Sequence, residues 1–177
     1  YAMRMAARLE AMGQPIYAGM TQPSKAGAVW TGKVELSNWG QVIRPLAWKK
    51  PRRIFVNSMS DLFHESLPDA AIDKVFAVMA LCRHHHFQVL TKRAERMRAY
   101  MVNVEREAYW MNAVADLFEI DCSLLNGRYP IMGQRAPWPP LPNVWLGVSA
   151  ERQQEADELI PLLLQTPAAI RFVSCEP

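Results

Sequence analysis

The sequence has no run of 18 apolar residues, so no segment of it reads as a membrane-spanning helix. Its first ten residues, YAMRMAARLE, lack the extended apolar centre of a secretory signal. Only three cysteines occur, Cys82, Cys122 and Cys175, widely spaced and odd in number. That excludes a compact CxxC metal site, argues against a disulfide framework, and suits a reducing cytoplasm. No GxGxxG, Walker A, GxSxG or HExxH pattern is found, so the commonest local signatures of cofactor, nucleotide, serine-hydrolase and zinc chemistry are missing. Tandem repeats and low-complexity tracts are missing too. Charge of one sign is barely in excess: 20 Lys and Arg against 17 Asp and Glu, a net of +3. This balance permits an anionic substrate or nucleic acid without demanding one.

What is present reads as a folded α/β chain. Of 177 residues, 50% are hydrophobic and 21% charged, enough for one domain with a core. Four short apolar runs have strand length and end in polar residues. They cover 54–56, 87–90, 144–148 and 170–173. Continuous rather than alternating apolar character predicts parallel strands buried on both faces. Helical spacing lies between them. Ile72, Val75, Phe76 and Met79 form one stripe, with Ser66, Pro68 and Asp69 as its start. Ala156, Leu159, Ile160 and Leu163 form another, and a shorter helix over 94–101 turns Met97 and Tyr100 or Met101 inward. At the front, Met5, Leu9 and Met12 line a stripe that Gly13 stops. The order α-β-α-β-α-β-α-β predicts parallel strands joined by right-handed crossovers. The whole chain, 1–177, is expected to be one partial (βα) TIM-barrel-like domain. Irregular insertions are expected at about 14–51 and 105–142, the second with a short helix near 110–118. The abrupt ends suggest a fragment of a larger barrel, with exposed sheet edges open to self-association.

In such folds the carboxyl ends of the strands meet at one rim, where sites are built. Asn57, Ser58, Ser60, Asp61, Thr91, Lys92, Ser149, Glu151 and Glu176 would converge there. Asp61, His64 and Glu65 offer acid–base or metal-ligating chemistry, or else cap the turn into the next helix. Lys92 and Arg93 suit a carboxylate or phosphate, or else are surface charge at a helix start, where cations are poorly placed. His84, His85 and His86 precede a strand, so they read as a solvated loop at the opposite rim. Cys175 reads as a small buried hydrophobe rather than a nucleophile. The stretch Trp48-Lys-Lys-Pro-Arg-Arg53 could touch phosphates or be a solvated edge. Trp138-Pro-Pro-Leu-Pro142 is a stiff loop or a polyproline recognition surface.

Four phrases carry a resemblance: PLAWKKPRRIFVNSMSDLFHE (45–65), FQVLTKRAERM (87–97), NVWLGVSAE (143–151) and RFVSCEP (171–177). In this order they resemble a family of phage- and prophage-associated proteins of uncharacterised function, itself similar to a divergent branch of the radical S-adenosylmethionine (SAM) proteins. The resemblance spans nearly the whole chain. In that family a cysteine-rich segment ends in Cys-Tyr-Ala and a helix follows. Tyr1-Ala2 match its tail, so the cysteines would precede residue 1. The resemblance implies three thiolates holding a [4Fe–4S] cluster with one iron open for SAM, and no cofactor bound to a chain lacking those cysteines. Strand position then suggests Ser60 and Asp61 for the amino or ribose groups of SAM. Thr91 and Lys92 would hold its carboxylate, and Ser149, Glu151 and Glu176 its ribose or the substrate. Phage association implies nucleic acid or a nucleotide as substrate. Two rivals are a cluster-free module binding nucleic acid or protein, and a metal-dependent hydrolase using Asp61, His64 and Glu65.

Overall fold

A computed structural model describes residues 2–33, 39–57, 59–121 and 140–175. Its centre is a parallel sheet of four strands in sequential order, β3-β4-β5-β6. These are β3 (Arg53–Val56), β4 (His86–Thr91), β5 (Val144–Ala150) and β6 (Ile170–Cys175). The registers Val56↔Val89 and Val89↔Leu146 hold the apolar centres of the first three strands level. The expected parallel α/β arrangement is therefore present, with helices between consecutive strands.

Those helices are α4 (Asp69–Leu81), α5 (Ala94–Val102), α6 (Arg106–Asp121) and α7 (Gln153–Gln165). Helix α4 buries Ile72, Phe76 and Met79, as its spacing predicts. Pro68 is its N-cap, and no side chain caps it, so Ser66 does not serve as expected. Helix α5 buries Met97, Tyr100 and Met101. Trp110, Ala113, Val114 and Leu117 of α6 complete the same layer. The Phe76 and Trp110 rings stack with centroids 4.8 Å apart. Across this layer Trp110 Nε1 donates to the Tyr100 hydroxyl, which donates to Asp73, each at 2.6 Å. Arg106 donates to the same Asp73 oxygen at 3.2 Å and lies 4.1 Å from the Tyr100 ring centroid. A buried carboxylate is thereby paired and hydrogen-bonded from two helices.

Burial on both faces holds only at the centre of the sheet. In β5 six of seven positions are buried, whereas β3 alternates exposed and half-buried residues and β6 has no buried position. One face, carrying Phe87, Val89, Leu146 and Val148, joins the helices in the core. The other carries Phe55, Gln88, Leu90, Trp145 and Phe172, none of which belongs to that core. Among the described residues β3 and β6 each pair on one side only, and helices cover one face, so continuous apolar sequence overstates burial there. On the open face Gly147 lets the Phe172 ring cross β5; a Cβ at this position would lie 2.5 Å from the ring.

The segment 14–51 is less irregular than expected. It contains a 3-10 turn (Pro15–Tyr17), an antiparallel hairpin of β1 (Thr21–Ser24) and β2 (Gly27–Trp30), and two single-turn helices, α2 (Trp39–Val42) and α3 (Arg44–Ala47). Helix α6 is likewise longer than the short helix expected at 110–118. Ahead of the hairpin, α1 (Ala2–Ala11) ends at Gly13, whose φ of +77° closes a Schellman turn. Gln14 N–H donates to Leu9 and Gly13 N–H to Glu10. The Met5, Leu9 and Met12 stripe is not core: Met12 is 66% exposed and Ala6 alone is buried. Among the described residues no helix is long and apolar enough to cross a membrane.

Candidate functional site

Polar residues gather where β3, β4 and β5 end. Strand β3 leaves the sheet through Asn57, which adopts a left-handed backbone, φ +64°. Asparagine tolerates this conformation better than most side chains. The chain then turns, with Ser60 N–H donating to the Asn57 carbonyl at 3.2 Å. Ser60 is exposed. Asp61 follows, and its carboxylate is the organiser of the rim.

Four groups donate to Asp61. Phe63 N–H reaches Oδ1 at 2.9 Å, and the Thr91 hydroxyl reaches both oxygens at 2.7 and 2.9 Å. Lys92 N–H and Arg93 Nη1 reach Oδ2 at 3.2 and 3.0 Å. Asp61 therefore ties the loop after β3 to the turn after β4. Thr91, itself buried, also accepts from Arg93 N–H at 2.9 Å. Arg93 Nε donates to both oxygens of Glu65 at 2.8 and 2.7 Å. This guanidinium holds the Glu65 carboxyl below the usual carboxylate range. His64 accepts from Ser66 N–H at Nδ1, 3.2 Å, and its Nε2 lies 4.0 Å from Glu65. Asp61 and Glu65 are thus both committed to one arginine. Among the described residues no three His, Cys, Asp or Glu side chains are grouped to hold a metal.

A second link runs from β4 to β5. Lys92 Nζ pairs with Glu151, and both side chains are about half exposed. This ammonium lowers the Glu151 pKa. Glu155, three residues into α7 from its N-cap Arg152, accepts from Glu151 N–H at 2.6 Å and fixes the loop. Ser149 is buried, and its register partner in β6 is Ser174. Five of the nine expected rim residues are joined by position or bonding: Asp61, Thr91, Lys92, Glu151 and Ser149. Asn57 and Ser60 stand at the start of the same loop. Ser58 and Glu176 lie outside the described residues. Glu155 and Ser174 were not singled out from the sequence. The first carries a readable signal as an acidic residue in the first turn of a helix.

Two other expectations change. His85 is fully buried, with Nε2 3.2 Å from the Pro45 carbonyl, so the histidine tract is only partly solvated. Cys175 is exposed on an outer strand rather than buried, while Cys82 is buried at the end of α4. Cys122 and residues 138–139 of the proline-rich stretch lie outside the described residues. No curated protein and no solved structure matches the chain. A family match does extend over its whole length, residues 1–177, and the chain belongs to the family described as "Protein of unknown function (DUF5131)".

Proposed function

We propose that the carboxyl rim binds S-adenosylmethionine and that the chain is a sector of a radical-SAM-like (βα) barrel. The observation that carries this reading is the Lys92–Glu151 pair. It bridges two strand exits and stays half exposed. An amino-acid head group brings one carboxylate and one ammonium. It can exchange for such a pair, carboxylate to Lys92 and ammonium to Glu151, leaving no charge unmatched. Asp61 positions rather than binds, because its oxygens already serve four donors. Ser149 and Ser174 lie on the adjoining strands, with Leu90 and Phe172 below them for an apolar or aromatic moiety.

Sequential strand order with helices on one face and a second, open face suits a barrel sector; an open doubly wound sheet reverses its order. The [4Fe–4S] cluster does not fit the described cysteines. Cys82 is buried at the end of α4, and Cys175 is exposed in β6. No step is therefore routed through a cluster. This chain's residues would hold the head group and orient the sulfonium. The hydrolase alternative is disfavoured because Asp61 and Glu65 are both engaged by Arg93, and no third ligand joins them among the described residues.

Calorimetric titration of the chain with SAM, methionine and adenosine tests the reading. SAM is expected to bind, methionine more weakly, and Lys92→Ala or Glu151→Ala to weaken SAM roughly tenfold each, one charge-assisted bond. Unchanged SAM affinity in both variants, or no SAM binding at all, overturns it.

A further inference from the structure

The strands also share a starting rim, and its chemistry is different. Residues 48–53 enter β3 as Trp-Lys-Lys-Pro-Arg-Arg, and Arg83 with three histidines enters β4. Backbone and ring contacts fuse the two loops. His86 N–H donates to the Arg52 carbonyl at 2.9 Å, and Arg53 is the register partner of His86. His84 Nε2 lies 2.8 Å from the Trp48 carbonyl, and the Arg52 guanidinium covers the Trp48 ring at 4.5 Å. Lys49, Lys50, Arg52, Arg53 and Arg83 are all exposed.

Nothing acidic opposes them in these loops. The sequence has no Asp or Glu over 36–60 or over 74–94, and none over 140–150 or 159–175, which feed β5 and β6. Among the described residues no ion pair engages any of the five cations. At the carboxyl rim, by contrast, Lys92, Arg93 and the nearby Arg96 each meet a carboxylate. Solvated surface charge is ordinarily interspersed in sign. Five unopposed cations on two fused loops are a concentrated positive field.

We propose that this amino rim docks the phosphodiester backbone of a nucleic acid. Four of the five cations fall within residues 49–53, which bend at Lys50 and enter β3 at Arg53, so they form a compact cluster of charge facing a backbone that carries one phosphate per roughly 3.4 Å of strand. Arg53, Arg83 and His86 form its shoulder. An anionic bilayer fits less well. Such surfaces insert exposed aromatic or aliphatic groups, whereas Trp48 is half-buried under Arg52. The patch offers charge and few groups to read bases, so binding is sequence-independent.

Fluorescence anisotropy with labelled single-stranded DNA, duplex DNA and RNA of mixed sequence tests this without turnover or SAM, so its failure is separate from failure at the carboxyl rim. For five phosphate contacts, log K against log salt should slope by about −3.5 on single strands and about −4.5 on duplex. K49A/K50A should flatten the single-strand slope by about 1.4 and weaken all sequences alike. K49R/K50R, which keeps both charges, should restore binding, and matched melting curves separate affinity from folding. Equal affinity of wild type and K49A/K50A overturns the proposal. So does tighter binding to phosphatidylserine vesicles or polyglutamate than to any nucleic acid at the same salt.

Discussion

Replacing Asp61 by alanine removes the acceptor of four donors at once. The consequences differ by donor. The Thr91 hydroxyl is 2% exposed and would lose its acceptor inside the protein, costing about 1–3 kcal/mol. Phe63 N–H, on a buried residue, loses its local turn bond. Lys92 N–H is exposed and can turn to water, so it adds little. Arg93 keeps its two bonds to Glu65 and stays neutralised. The sum is about 2–4 kcal/mol, a fall in melting temperature of roughly 4–16 °C for a chain of this size. Urea denaturation followed by circular dichroism at pH 7 measures it. Thr91→Val removes the most costly donor in advance, so Asp61→Ala on that background should cost about 1–3 kcal/mol less. A loss below about 0.5 kcal/mol for Asp61→Ala in the wild-type background would refute the view that this carboxylate is a strut. Asp61 would then be free for ligand chemistry.

Two further perturbations probe the interior. Burial, and then the hydrogen bond donated to Asp73, push the Tyr100 phenol well above its ordinary value. Its contribution is complete below the unfolded pKa of about 10, and above it the unfolded chain releases a proton that the native state keeps. Stability should therefore fall by up to about 1.4 kcal/mol per pH unit between pH 10 and 11 from this group alone, and Tyr100→Phe should remove that part of the slope in alkaline urea titrations. Gly147→Ala places a methyl group against the Phe172 ring and should cost about 1–3 kcal/mol. Pairing it with Phe172→Leu should recover most of that loss; if it recovers none, strain in the β5 backbone and not the ring is responsible.

The central strands and their helices were legible because each rests on a local signal. Apolar runs of strand length gave β3 to β6, and 3.6-residue spacing gave α4, α5 and α7. The hairpin of β1 and β2 carries no such signal. TQPS and GAVW have no apolar alternation, and among the described residues each strand pairs with the other alone. Helix α6 does carry one, since Trp110, Ala113, Val114 and Leu117 follow helical spacing, but the prolines farther along the segment obscured its extent. At the site, strand exits named the right rim. They could not reveal that Asp61 and Glu65 share Arg93, because that pairing spans 32 and 28 residues and depends on which way two loops fold.

Net charge conceals what the topology does with charge. Parallel strands put every strand start at one end of the sheet and every strand finish at the other, so alternating loops in the sequence become opposite surfaces in space. Acidic residues enter the loops that follow β3 and β5 and meet the cations after β4. The loops that precede the strands have none, so their cations remain unopposed. A balance of +3 is then the sum of a compensated rim and a basic one. Salt should act on the two unequally. The bonds of Asp61, buried to five-sixths, are sheltered from screening, whereas an ion within a Debye length of about 8–10 Å reaches every cation of the amino rim. Raising ionic strength should therefore weaken docking at the amino rim well before it loosens the Asp61 link that shapes the other.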